Sequence, residues 1–131
     1  MDWNDYLKIA NEVYSKRNSL ASEEACCRSA ISRAYYAVFN IADIRQRNKE
    51  KGLKPFSFGP HQNLIRYYKD HQDKKRKNIG TKLDRLSDLR NFCDYDSYAG
   101  KINIRNYPTQ AANALTDTEE LIALIAALKP R

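Results

Sequence analysis

At 131 residues and 15.2 kDa the chain is the size of one domain, and a composition of 42% hydrophobic and 30% charged residues excludes wholesale disorder. Four Gly and four Pro are too few for a turn-rich all-β sandwich or barrel, no apolar run approaches the ~20 residues of a membrane span, and Met1-Asp2-Trp3-Asn4-Asp5 is too acidic and polar for a secretory signal. Lys and Arg number 23 against 16 Asp and Glu, a net +7 with a pI near 9.4, which suits contact with RNA or DNA without demanding it and leaves a soluble, cytoplasmic, mostly helical domain as the expectation.

The spacing predicts a first helix over residues 3–17, capped by Asp2, with Trp3, Tyr6, Leu7, Ala10, Val13 and Tyr14 on one apolar stripe and Asn18-Ser19 ending it. Ser22 opens the longest helix as its N-cap. Glu23 and Glu24 suit the first turn, and Lys51-Gly52 stops the helix after about Glu50. Its core stripe reads Cys27, Ala30, Ala34, Ala37, Ile41, Ile44, widened by Ile31, Tyr35, Val38, Phe39 and Ala42, and the alanines let a neighbouring helix approach closely. A further row, Ser29, Arg33, Tyr36 and Asn40, is polar but borders that core.

After a loop over residues 51–59, Pro60 starts a short helix with Leu64, Ile65 and Tyr68 on one face, and a basic loop over 70–78 ends it. The next helix runs from Ile79 to Tyr95 on the stripe Ile79, Leu83, Leu86, Arg90, Cys93, so an arginine takes an apolar position and needs a partner there. Residues 96–107 read as irregular, with a brief strand-like Ile102/Ile104 alternation. A last helix begins near Pro108-Thr109 and carries Ala111, Ala114, Leu115, Leu121, Ile122, Ile125 and Leu128. Amphipathic helices with short connections predict an all-α, antiparallel four- to five-helix bundle, one domain over residues 1–131.

Most site chemistries fail on residue type or spacing. Three cysteines, Cys26, Cys27 and Cys93, make no disulfide framework, and they read as buried free thiols in a reducing compartment. With His61 and His71 they give no metal-ligand spacing, and no glycine-rich phosphate loop, Gly-x-Ser-x-Gly elbow or zinc helix is present, so no cofactor is expected. His61, after a proline at a helix start, reads as a surface or capping residue. Lys74-Lys75-Arg76-Lys77 reads either as a solvated loop or as a phosphate-tracking contact for RNA. Nine tyrosines serve packing, and exposed ones offer stacking faces for bases.

Two segments stand apart. Ser32-Arg33-Ala34-Tyr35-Tyr36-Ala37-Val38-Phe39 and, at a distance, Leu89-Arg90-Asn91-Phe92-Cys93-Asp94-Tyr95 resemble the motifs of prokaryotic HEPN domains, and the resemblance spans nearly the whole chain. It implies a four- or five-helix bundle that forms a homodimer through the faces carrying these motifs. Many members of that family are metal-independent RNases, and many are toxins paired with a minimal nucleotidyltransferase antitoxin. Their catalytic motif is an Arg followed, four to six residues later, by a His; the Arg meets developing phosphate charge and the His moves the proton as the ribose 2′-OH attacks.

Here Arg90 is present, but residues 95 to 97 are Tyr95, Asp96 and Ser97, so Asp96 stands where the His falls, followed by Ser97-Tyr98. An aspartate ordinarily titrates near 4, low for a general base at neutral pH. The resemblance assigns Arg90 to the phosphate, Arg33 to its support, Asp94 or Asp96 to proton handling or orientation, and Tyr98, by position, to AMP addition by the partner enzyme. The competing reading is structural: Arg90 in a buried ion pair with Asp94 or a partner on the second helix, and Arg33 linking that helix to the end of the fourth. A catalytically silent HEPN module that dimerises and binds a nucleotidyltransferase or a nucleotide is the alternative function.

Overall fold

The organising element is the helix whose apolar residues cover most of its circumference. In the computed structural model, which describes residues 1–51, 58–95 and 106–129, five helices and no strand occur among the described residues. They are α1 (Asn4–Ser15), α2 (Glu23–Lys49), α3 (Pro60–Lys69), α4 (Lys74–Asp94) and α5 (Tyr107–Ala126). Ser22 is extended and its Oγ accepts from the Ala25 amide at 3.2 Å, with Glu23 and Glu24 in the first turn and Arg47 and Lys49 in the last. Both ends of α2 thus complement the helix dipole.

Along α2, Cys27, Ala30, Ala34, Tyr35, Ala37, Val38 and Ala42 are completely buried, because α1, α4 and α5 all pack against it. The alanines act as read from the sequence: Ala34 meets Ala10 of α1 and Leu115 of α5 in one small cluster. Each fully buried large side chain, such as Ile31 or Leu64, contributes about 1.5–3 kcal/mol relative to exposure.

Helix directions depart from the uniformly antiparallel expectation. Arg28 and Glu50, at opposite ends of α2, reach Cys93 and Arg76, at opposite ends of α4, so this pair is antiparallel. Arg28 also meets Tyr107 at the start of α5, while Arg45 meets the Leu128 carbonyl just past its end, so α5 runs along α2. The same holds for α3, whose His61 and Tyr68 contact Tyr35 and Ala42 in order.

Three local expectations also change. The core stripe of α2 does not extend to Ile44, which is 38% exposed; past Ile41 the buried face turns to Ala42, Arg45 and Gln46, under the ends of α4 and α5. The basic run is not a loop: α4 starts at Lys74, five residues before Ile79, because Asp73 turns extended and its carbonyl accepts from the Lys77 amide at 2.9 Å. At the start of α1, Asp2 Oδ1 accepts from the Asn4 amide at 2.9 Å, while Trp3 is the boundary residue. The last helix begins at Tyr107, capped by Asn106 Oδ1 on the Thr109 amide at 3.1 Å. The Ile102/Ile104 alternation lies outside the described residues. No helix among the described residues is long and apolar enough to cross a membrane, and Cys26, Cys27 and Cys93 are buried free thiols, with burial pushing Cys93 up to about 12.

Candidate functional site

Helical periodicity puts Ser29, Ser32, Arg33 and Tyr36 on one side of α2, and the antiparallel crossing brings the end of α4 against it. Between them opens a cleft of about 430 Å³ lined by Tyr6, Arg28, Ser32, Arg33, Tyr36 and Asp94, among others. Two of the segments singled out in the sequence therefore meet. Tyr36 Oη lies 3.3 Å from Arg90 Nη1, and Ser32 Oγ donates to Asp94 Oδ2 at 3.2 Å.

Arg90 sits at the base of this arrangement and is only 6% exposed. Its guanidinium lies 3.7 Å from Asp94 Oδ2 and stacks over the rings of Tyr35 and Tyr36 at 5.0 and 5.3 Å. Its Nε is buried and without a hydrogen-bond partner among the described residues. An arginine at an apolar position is thus sustained by one carboxylate and two aromatic faces rather than by solvent. Burial pushes the Tyr35 hydroxyl up to about 12, against the pull of Ser87 and Arg90.

Arg33 is exposed at the rim, and its Nε donates to Ser29 Oγ at 3.2 Å within its own helix. The link from α2 to the end of α4, expected of Arg33, is made instead by Ser32 and by Arg28. Arg28 donates to the Cys93 carbonyl and to Tyr107 Oη, each at 3.1 Å, and so ties α2, α4 and α5 together. Tyr6 of α1 completes the cleft wall. Ser32 belongs to a segment the sequence singled out but was given no role there, Tyr6 read only as part of an apolar stripe, and Arg28 carried no signal; the row Ser29-Arg33-Tyr36-Asn40 hinted at a polar face here.

His61 is half-buried, and the start of α3 has no side-chain capping bond. It stacks on Phe39 at 4.1 Å between ring centroids, and its Nδ1 lies 2.8 Å from Tyr35 Oη. Burial, assisted by the charge of Arg90 and opposed by Asp43, holds its imidazole below the ordinary value. His61 does not line the cleft. Asp96 and Tyr98 lie outside the described residues.

The four residues of the basic run part company. Lys74, Lys75 and Lys77 are exposed, but Arg76 is 4% exposed and bound to Glu50, to Asp73 and to the Lys129 carbonyl. The assignment of Arg76 to RNA contact is therefore corrected: its position on the inner face of α4 spends its charge on a buried carboxylate. This group lies at the opposite end of α2 from the cleft. Among the described residues no cluster of His, Cys, Asp and Glu could hold a metal ion.

No protein-family profile, curated protein or solved structure matches this chain. The fold and the cleft therefore rest on their own geometry.

Proposed function

We propose that this chain is the toxin-like member of a toxin–antitoxin or phage-defence pair, a HEPN-type module that works on RNA in the α2–α4 cleft. The reading includes a homodimer and a minimal nucleotidyltransferase as the controlling partner. The observation that carries it is the meeting of the Ser32–Phe39 and Leu89–Tyr95 segments, with contacts 54 and 62 residues apart in sequence, around one polar cleft rimmed by arginine. Arg33 is the exposed cation for a phosphate. Arg90 orients Tyr36 and Asp94 from beneath. In metal-independent cleavage the 2′-oxygen bonds to the adjacent phosphorus as its proton passes to Asp94 or Asp96, the bond from phosphorus to the 5′-oxygen breaks, and that oxygen takes a proton from water and leaves as a hydroxyl, giving a cyclic phosphate.

A specific observation favours a second reading, the catalytically silent module. Arg90 is buried and committed to internal partners, and no histidine lines the cleft among the described residues. One experiment separates the two. The purified protein is incubated with mixed RNA in EDTA beside Arg33→Ala, Asp94→Asn and Asp96→Ala. Cleavage with cyclic-phosphate ends, lost in Arg33→Ala, is the expected result for the enzyme. RNA retention without cleavage, weakened by Arg33→Ala, selects the silent module. If the protein neither cuts nor holds RNA, the RNA reading is wrong.

A further inference from the structure

The acidic residues at the far end of the bundle are turned inward. Glu50, just past the end of α2, has a fully buried side chain that accepts from Arg76 of α4 and from Arg45 of its own helix. Asp73, the boundary residue of α4, makes no capping bond; its carboxylate accepts from Arg76 Nη1 at 2.6 Å. Arg76 also donates to the Lys129 carbonyl at 2.7 Å and Arg45 to the Leu128 carbonyl at 3.0 Å, which brings the end of α5 to the same point. Two carboxylates thus offset two buried arginines.

What remains on the outside is lysine. Lys49 and Lys51 flank Glu50, Lys74, Lys75 and Lys77 flank Arg76, and Lys129 follows the end of α5; all six are exposed. Each lies within two residues of the buried Glu50–Arg76–Lys129 junction, so three elements deliver them to one end of the molecule. Among the described residues the ion pairs of the bundle leave these six lysines out, and the nearby Lys69 is the one that pairs, with Asp84. The placement also costs stability, because lysines in the first turn of α4 oppose the helix dipole and no acidic residue there offsets them.

We propose that this lysine collar is a second, sequence-independent contact for the RNA backbone, opposite the cleft; it rests on the reading of the protein as acting on RNA. Lysines are compact point charges that neutralise phosphates without reading bases. An anionic membrane fits less well, since surface docking needs apolar side chains to insert beside the lysines. From Arg33 to Lys49 the axis of α2 spans about 24 Å, so a strand touching both ends is several nucleotides long.

The test is fluorescence anisotropy of labelled single-stranded RNA of mixed sequence across a salt series. It compares wild type with Lys74→Gln/Lys75→Gln/Lys77→Gln on α4, Lys49→Gln/Lys51→Gln beside α2, and Arg33→Ala in the cleft. The α4 triple should melt no lower than wild type, lose at least about tenfold in affinity at low salt, and flatten the salt slope by about 2. The pair beside α2 should flatten it by about 1.4. An unchanged slope in both lysine variants overturns the collar, while a loss confined to Arg33→Ala leaves the cleft reading standing. Wild-type binding to poly-glutamate or to phosphatidylserine vesicles as tight as to RNA also overturns it, in favour of an acidic protein or a membrane. Loss of nothing in any variant removes both readings together.

Discussion

Arg90 shows how much a single side chain depends on its neighbours. At 6% exposure it is among the few buried charges, and Asp94, Tyr35 and Tyr36 are what make its burial tolerable. Removing the guanidinium leaves a space among aromatic rings and takes the partner from Asp94. Arg90→Ala should therefore lose about 3 kcal/mol, a fall in melting temperature on the order of 10 °C. Differential scanning calorimetry reads this directly. A melt within a degree or so of wild type would mean that the Asp94 and tyrosine contacts do not hold the end of α4. Arg33 is the contrasting case: exposed and bonded only to Ser29 among the described residues, it should be replaceable by Ala with a change inside ~0.5 kcal/mol. The two arginines look alike in sequence, each one position into a recognisable segment, yet one is buried and the other exposed.

Among the elements, α3 and α4 approach closely at one glycine. Gly80 of α4 lies against the backbone of Lys69 and Tyr68, where an added Cβ would overlap main-chain atoms that cannot swing away. Helix propensity favours Ala over Gly by ~1 kcal/mol, so the sequence alone suggests that Gly80→Ala stabilises. The crossing reverses that sign. Overpacking here should outweigh propensity and leave the variant about 1–2 kcal/mol less stable, seen as a lower urea midpoint at unchanged slope. A higher midpoint would show that α3 can slide away from α4 at little cost. The same crossing explains why α4 begins at Lys74 rather than Ile79: contacts with the end of α3 and with Glu50 support the extra turn that periodicity does not reveal.

At the scale of the whole molecule, the ionisable groups give a stability profile with two falling steps. The folded value of His61 lies below 6.5, mainly through burial, so the unfolded chain binds the proton first and stability is lost as the pH drops below that point. Glu50 adds the acid step. Burial alone would raise it, but the hydrogen bond and charge of Arg76, with Arg45, hold it below 4.5. Its contribution is present above 4.5 and is lost as the pH falls through the folded value. Chemical denaturation across pH should show both steps, and His61→Gln should flatten the first while leaving the second. If the first step persists in His61→Gln, the near-neutral loss belongs to another group, and direct NMR titration of His61 would then show an ordinary value.

Helical periodicity, caps and apolar stripes are local properties, and the sequence alone determined them: five helical segments, Ser22 as a cap, the alanine face of α2, and an arginine set in the stripe of α4. The two conspicuous segments were legible for the same reason, since their residue types and spacing are read along the chain. What the tertiary structure decided is which side chains meet. Nothing in Lys74-Lys75-Arg76-Lys77 marks Arg76 as the inward member, because its partner Glu50 lies 26 residues away and becomes a neighbour only when α2 and α4 cross. The link from α2 to α4 fell to Arg28 and Ser32 rather than Arg33 because the crossing sets which turn of α2 faces Cys93 and Asp94. His61 is half-buried because α3 runs along α2 and lays its first turn on Tyr35 and Phe39, a direction no short-range pattern encodes. Charge and burial are properties of the packed surface, and that surface exists only after the helices have chosen their neighbours.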